Sequence, residues 1–107
     1  MDIPTHVPPL YDEAITSAEL RYAKSPLSEF TEAVGRDTKL TLHYKPKDLS
    51  VTDADVRWVT NDNSVASVRG DTKGCTITCE GEGEATITCM MFGIPVCSVT
   101  VYVRESW

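Results

Sequence analysis

Trp58-Val59-Thr60-Asn61-Asp62-Asn63-Ser64-Val65-Ala66-Ser67-Val68 is the stretch on which the fold turns. Its first part continues an alternation begun at Asp55: Val56 and Trp58 share one face and Arg57 and Val59 the other, the period of a half-buried strand. Asn61-Asp62-Asn63-Ser64 ends that strand, because short polar side chains bond to nearby backbone and favour turns. Apolar residues resume at Val65, Ala66 and Val68 and stop at Gly70-Asp71. A strand, a tight turn and a second strand follow one another with no room for a helix.

The same grammar extends outward. In 39–45, Leu40, Leu42 and Tyr44 alternate with Thr41 and His43 until Pro46 ends the run. Upstream, 15–24 alternates Leu20 and Tyr22 with Glu19 and Arg21 and breaks at Ser25-Pro26. Residues 27–34 could start a short helix, but Gly35-Arg36-Asp37 closes it after barely two turns, so an irregular edge segment is expected there. Downstream, strands are expected at 74–80, 84–91 and 96–103, separated by Gly81-Glu82-Gly83 and Gly93-Ile94-Pro95. About seven short strands without a long helix indicate an all-β sandwich or barrel. Trp58, a large apolar side chain on a middle strand, favours an immunoglobulin-like β-sandwich. The expected core is Leu40, Leu42, Val56, Trp58, Ala66, Val68, Ile77, Ile87, Val99 and Val101.

Cys75, Cys79, Cys89 and Cys97 lie in the last third of the chain. Cys75 and Cys79 are in step with Ile77, Cys89 with Ala85, Ile87 and Met91, and Cys97 with Val99, Val101 and Val103. That parity favours four reduced core thiols, since free cysteine packs as a small hydrophobe. A cross-strand disulfide is the alternative. A zinc site is the least supported, because its ligands usually come from tight turns at short spacing.

A chain of 107 residues with 41% hydrophobic and 24% charged residues has the make-up of one globular domain. The reading divides it into an extended Pro-rich N-terminal arm (1–13), the sandwich (14–104) and a C-terminal tail (105–107). In the arm, Pro4, Pro8 and Pro9 forbid a helix or central strand, while Ile3, Val7, Leu10 and Tyr11 are candidate partner contacts. Ten basic against sixteen acidic side chains, a net charge of -6, argue against nucleic acid or an acidic membrane as partner. Asp2 and the prolines interrupt any secretory leader, and no apolar run is long enough to span a bilayer; synthesis in a cytoplasm is the expectation if Met1 is native.

The sequence carries no Gly-rich phosphate loop, HExxH or GxSxG pattern, and His6 and His43 have no nucleophile in a local signature. No catalytic, cofactor-binding or metal residues are therefore nominated. Asp53, Asp55, Asn61, Asp62 and Asn63 lack the alternating spacing of a calcium loop and read as turn formers. Arg69-Gly70-Asp71 spells an integrin-recognition tripeptide in an expected surface turn, a match that turn preference alone explains. Met90 and Phe92, on the parity opposite Cys89, are candidate partner contacts at a strand end.

Taken in order, Trp58, the Asn61–Ser64 turn, Val65-Ala66-Ser67-Val68, Gly74, Gly83-Glu84-Ala85-Thr86-Ile87-Thr88 and Val99-Thr100-Val101 resemble the bacterial immunoglobulin-like group 2 domain over residues 14–103. Thr60 stands where serine is more usual, and the interval from Gly74 to Gly83 is about one residue longer than the family's usual spacing. The resemblance implies binding rather than catalysis, since such domains serve as attachment and spacing modules on bacterial surface adhesins and tailed-phage virions. The expected role is a non-catalytic virion structural protein, a capsid decoration or auxiliary protein. It would attach to capsid or other virion subunits through its arm and strand edges. The alternatives are a module of a bacterial surface adhesin at the cell surface and a small phage-encoded inhibitor of a host protein.

Overall fold

The computed structural model describes residues 17–45 and 50–105. Among these, nine strands run in the order β1 (Ser17–Tyr22), β2 (Ser25–Pro26), β3 (Glu29–Ala33), β4 (Asp37–Lys45), β5 (Val56–Thr60), β6 (Ala66–Gly70), β7 (Gly74–Cys79), β8 (Gly83–Met91) and β9 (Ile94–Arg104). One 3-10 turn, Asp53–Asp55, leads into β5. The strands form a five-stranded sheet ordered β2-β1-β4-β7-β6 and a four-stranded sheet ordered β3-β9-β8-β5.

Alternation along the strands builds the core. The inward residues Leu20, Leu40, Leu42, Ala66, Cys75, Ile77 and Cys79 of the first sheet meet Ala85, Ile87, Cys89, Met91, Val99, Val101 and Val103 of the second. Of the expected core, Leu40, Leu42, Ala66, Ile77, Ile87, Val99 and Val101 are buried, and Val56, Trp58 and Val68 are half-buried against them. Burying apolar surface at about 25 cal/mol per Å² is the main force holding the two sheets face to face.

Several features depart from the sequence reading. Residues 27–34 do not remain irregular: Glu29–Ala33 is a regular strand, pairing in parallel with β9 from Glu29↔Thr100 to Ala33↔Arg104. Local alternation is weak there, and the ladder supplied by β9 overrides it. Trp58 sits on an edge strand, not a central one, because β5 closes one side of the four-stranded sheet. Ser25-Pro26 is not simply a break but the return strand of a tight hairpin, with Tyr22 paired to Ser25 and Ala23 and Lys24 both at positive φ (51° and 76°).

The β8–β9 hairpin uses a similar two-residue turn, Phe92-Gly93, with φ of 56° and 83° between the paired Met91 and Ile94, so Ile94 and Pro95, expected in the separator, belong to the last strand. Its register then shifts: Met90 opposes Pro95, but Cys89 opposes Cys97, leaving Val96 as the extra residue. Pro95 has no N–H to give the ladder, and a bulge beside it is where a sheet tolerates that loss.

Candidate interaction face

The outward residues of the two sheets differ in chemistry. On the five-stranded sheet, outward positions include Glu19 and Arg21 of β1, Asp37, Lys39, His43 and Lys45 of β4, and Arg69 of β6. Glu19 and Arg21 form an ion pair, and the hydroxyl of Thr41 lies 3.1 Å from Nε2 of the exposed His43. A groove of about 560 Å³ crosses β1 and β4 and includes Glu19, Arg21, His43, Tyr44 and Lys45 in its lining.

The four-stranded sheet turns a quieter face outward. Thr86 pairs with Thr100 and Thr88 with Ser98 across β8 and β9, while Val59 of β5 pairs with Thr88. Val59 (38% exposed) and Tyr102 (37% exposed) stand out to solvent, and half-buried Met90 lies two pairs beyond Ser98 along the same hairpin. Arg57, Glu84, Arg104 and Glu29 are the charged outward residues of β5, β8, β9 and β3. The centre of this face is hydroxyl and apolar, which costs less to desolvate against another protein than a charged surface does.

The remaining sequence candidates fall elsewhere. Ile3, Val7, Leu10 and Tyr11 lie outside the described residues. Phe92 does not stand beside Met90 on the outer face: it occupies the hairpin turn, and its ring is half-buried against the core. Arg69-Gly70-Asp71 is not contained in a turn, because Arg69 and Gly70 belong to β6. Asp71 begins the turn and is used up there: Oδ1 accepts from the amide of Lys73 at 2.8 Å, and its carbonyl oxygen accepts from the indole of Trp58 at 3.1 Å.

The acidic turn residues are likewise engaged locally. Oδ2 of Asp55 accepts from the amide and hydroxyl of Thr52, both at 3.0 Å, and Oδ1 of Asp53 accepts from the amide of Thr72 at 3.3 Å. The Asp62 carboxyl is held below its ordinary value by the hydroxyl and then the amide of Ser64, which donate to Oδ1 at 2.5 and 3.0 Å.

All four cysteines are free thiols. Burial, with the nearby Cys97 adding to it, pushes the Cys75 thiol up to about 12. Burial also raises Cys79, helped by Glu32, Asp37 and Glu80. Cys89 and Cys97 share a thiol hydrogen bond that raises Cys89 and lowers Cys97. Parity reasoning placed each thiol toward the core but missed this opposition of two of them, since only the bulge at Val96 brings it about.

No family model matches the chain, and no curated protein matches it. Among solved structures, the S-layer protein SbsC domains 4 and 5 align with a TM-score of 0.60 at 19% identity, covering 83% of this chain and 51% of that one. The chain thus spans about half the length of the SbsC structure. The Lin-41 filamin domain aligns with a TM-score of 0.56 at 16% identity, covering 83% of this chain and 93% of that one. At such identities the likeness is one of architecture, and the architecture is an immunoglobulin-like β-sandwich.

Proposed function

We propose that this protein is a non-catalytic attachment module, of the bacterial immunoglobulin-like group 2 kind, that decorates a phage capsid by docking against virion subunits. The observation that carries the reading is the low-charge outer face of β5, β8 and β9, where Val59, Thr86, Thr88, Thr100 and Tyr102 offer a surface that costs less to desolvate than a charged one. The charged five-stranded sheet would then face solvent, as suits a particle surface that must stay soluble. Reduced thiols fit assembly in a cytoplasm.

A second reading, a module of a bacterial surface protein, is favoured by the fold likeness to domains 4 and 5 of the S-layer protein SbsC. Fractionation separates the two. Particles, cell envelopes and soluble protein from a natural lysate are resolved by sedimentation, and the chain is quantified in each by mass spectrometry. Recovery with particles at many copies supports the capsid reading, recovery with envelopes supports the second, and wholly soluble protein rejects both. Val59→Lys with Thr88→Glu should then abolish attachment while leaving thermal unfolding nearly unchanged, and deletion of 1–13 should weaken it. Full occupancy by both variants would overturn the docking scheme.

A further inference from the structure

The register of β8 and β9 makes Cys89 and Cys97 directly opposed partners. Opposed residues of an antiparallel pair have Cα atoms about 4.5 or 5.5 Å apart, and both spacings lie within the span a disulfide bridges. The other two thiols have no such partner: Cys75 opposes Leu40 and Gly70, and Cys79 opposes Ala66. Access separates the pair further. Cys89 is fully buried, whereas half-buried Cys97 lines a cleft of about 270 Å³ beside Leu20, Pro26, Leu27, Ser28 and Ser98. The cleft lies between the β1–β2 hairpin and the start of β9, next to the bulge at Val96.

We propose that Cys97 is a site of reversible thiol modification, at which a small disulfide is attacked and the bond then passed to Cys89 as a cross-strand disulfide. In the first step the Cys97 thiolate attacks one sulfur of the small disulfide, whose S–S bond breaks; one thiol leaves with the proton from Cys97. In the second, Cys89 attacks the Cys97 sulfur of the mixed disulfide and expels the other thiol, which takes the Cys89 proton. Two protein thiols are oxidised and one small disulfide is reduced to two thiols. The hydrogen bond between the two thiols favours Cys97 as the attacking sulfur, since it lowers that thiol and raises its neighbour. A neutral or cationic disulfide suits the site better than an anionic one, because the chain carries a net charge of -6.

The test uses the full folded chain, cystamine as the probe and oxidised glutathione as the anionic comparison, followed by acid quenching, alkylation of the remaining thiols and peptide mapping. Cystamine should give a product lighter by two hydrogens with the peptides of Cys89 and Cys97 linked, and faster than oxidised glutathione does. Cys89→Ser, with Cys89→Ala as a second form should the hydroxyl disturb the core, should stop at the mixed disulfide on Cys97. Cys97→Ser should not react in the folded state. Brief iodoacetamide treatment of the unmodified chain should label Cys97 ahead of the other three. The proposal is overturned if labelling is spread evenly over the four thiols, if Cys97→Ser reacts as fast as the parent chain, or if no reaction occurs short of unfolding.

Discussion

The indole Nε1 of Trp58 donates a hydrogen bond to the carbonyl oxygen of Asp71 at 3.1 Å, tying the edge strand of one sheet to the β6–β7 turn of the other. The tryptophan therefore acts at the rim of the sandwich, with its ring half-buried against the core and its polar edge spent on the facing sheet. Trp58→Phe keeps most of the apolar contact and removes only the donor, so unfolding in urea should show a loss of about 1 kcal/mol. A stability equal to the parent's would mean that water replaces the bond without cost.

Gly74 and Gly35 should respond very differently to a methyl group. At Gly74 (φ 159°) a Cβ would sit 2.1 Å from the carbonyl oxygen of Leu40 on the neighbouring strand, so the β4–β7 ladder itself would have to open. Gly35 (φ 90°) has nothing within 4 Å of that position. Gly74→Ala is expected to cost on the order of 3 kcal/mol. Gly35→Ala carries only the strain of a left-handed backbone, roughly 1 to 2 kcal/mol. Equal midpoints for the two variants would contradict the close packing of β4 on β7.

Two hairpins place residues other than glycine at positive φ, and the reason differs between them. Lys24 (φ 76°) is exposed in its turn, so Lys24→Gly relieves strain and should raise stability by about 0.5 to 1 kcal/mol after the entropy of glycine is counted. Phe92 (φ 56°) is strained in the same sense, but its ring packs on the core. Phe92→Gly should therefore lower stability, by about 1 to 2 kcal/mol of lost apolar burial. Thermal unfolding of both variants checks the contrast, and a shift in the same direction for both would refute it.

What the sequence made legible follows from which interactions are local. Alternation from Lys39 to Lys45 and from Ala85 to Met91 locates strands and their inner faces, because side-chain parity is a property of one strand alone. The parallel docking of Glu29–Ala33 on β9 was hidden, since its bonds go to residues about seventy positions away and its own pattern is irregular. The face of β5, β8 and β9 was half legible: Met90 was singled out by parity, but Val59 and Tyr102 join its surroundings only once strand order is known. The pairing of Cys89 with Cys97 was obscured by one residue. The expected separator Gly93-Ile94-Pro95 misplaces the turn, and even counting back from the actual Phe92-Gly93 turn sets Cys89 opposite Val96 until the bulge moves the register on by one.

Asp62 supplies the pH dependence of the β5–β6 turn. The hydroxyl and amide of Ser64 donate to its carboxylate, while the amides of Val65 and Ala66 bond to its carbonyl oxygen, both at 3.1 Å. The folded-state pKa thus lies below the ordinary 3.8. A carboxylate shifted in that direction contributes its stability in full above the unfolded value and loses it as pH falls through the folded one. The turn should therefore be unaffected between neutral pH and about 5 and should loosen only below the ordinary carboxylate range. The Asp62 carboxyl, followed by NMR, should titrate below the range of exposed aspartates. Asp62→Ala should lower stability at neutral pH and flatten its decline in acid, whereas Asp62→Asn, which keeps an acceptor for Ser64, should lose less. An Asp62 that titrates at the ordinary value, or an acid decline identical in Asp62→Ala and the parent chain, would show that the Ser64 bonds do not hold the turn.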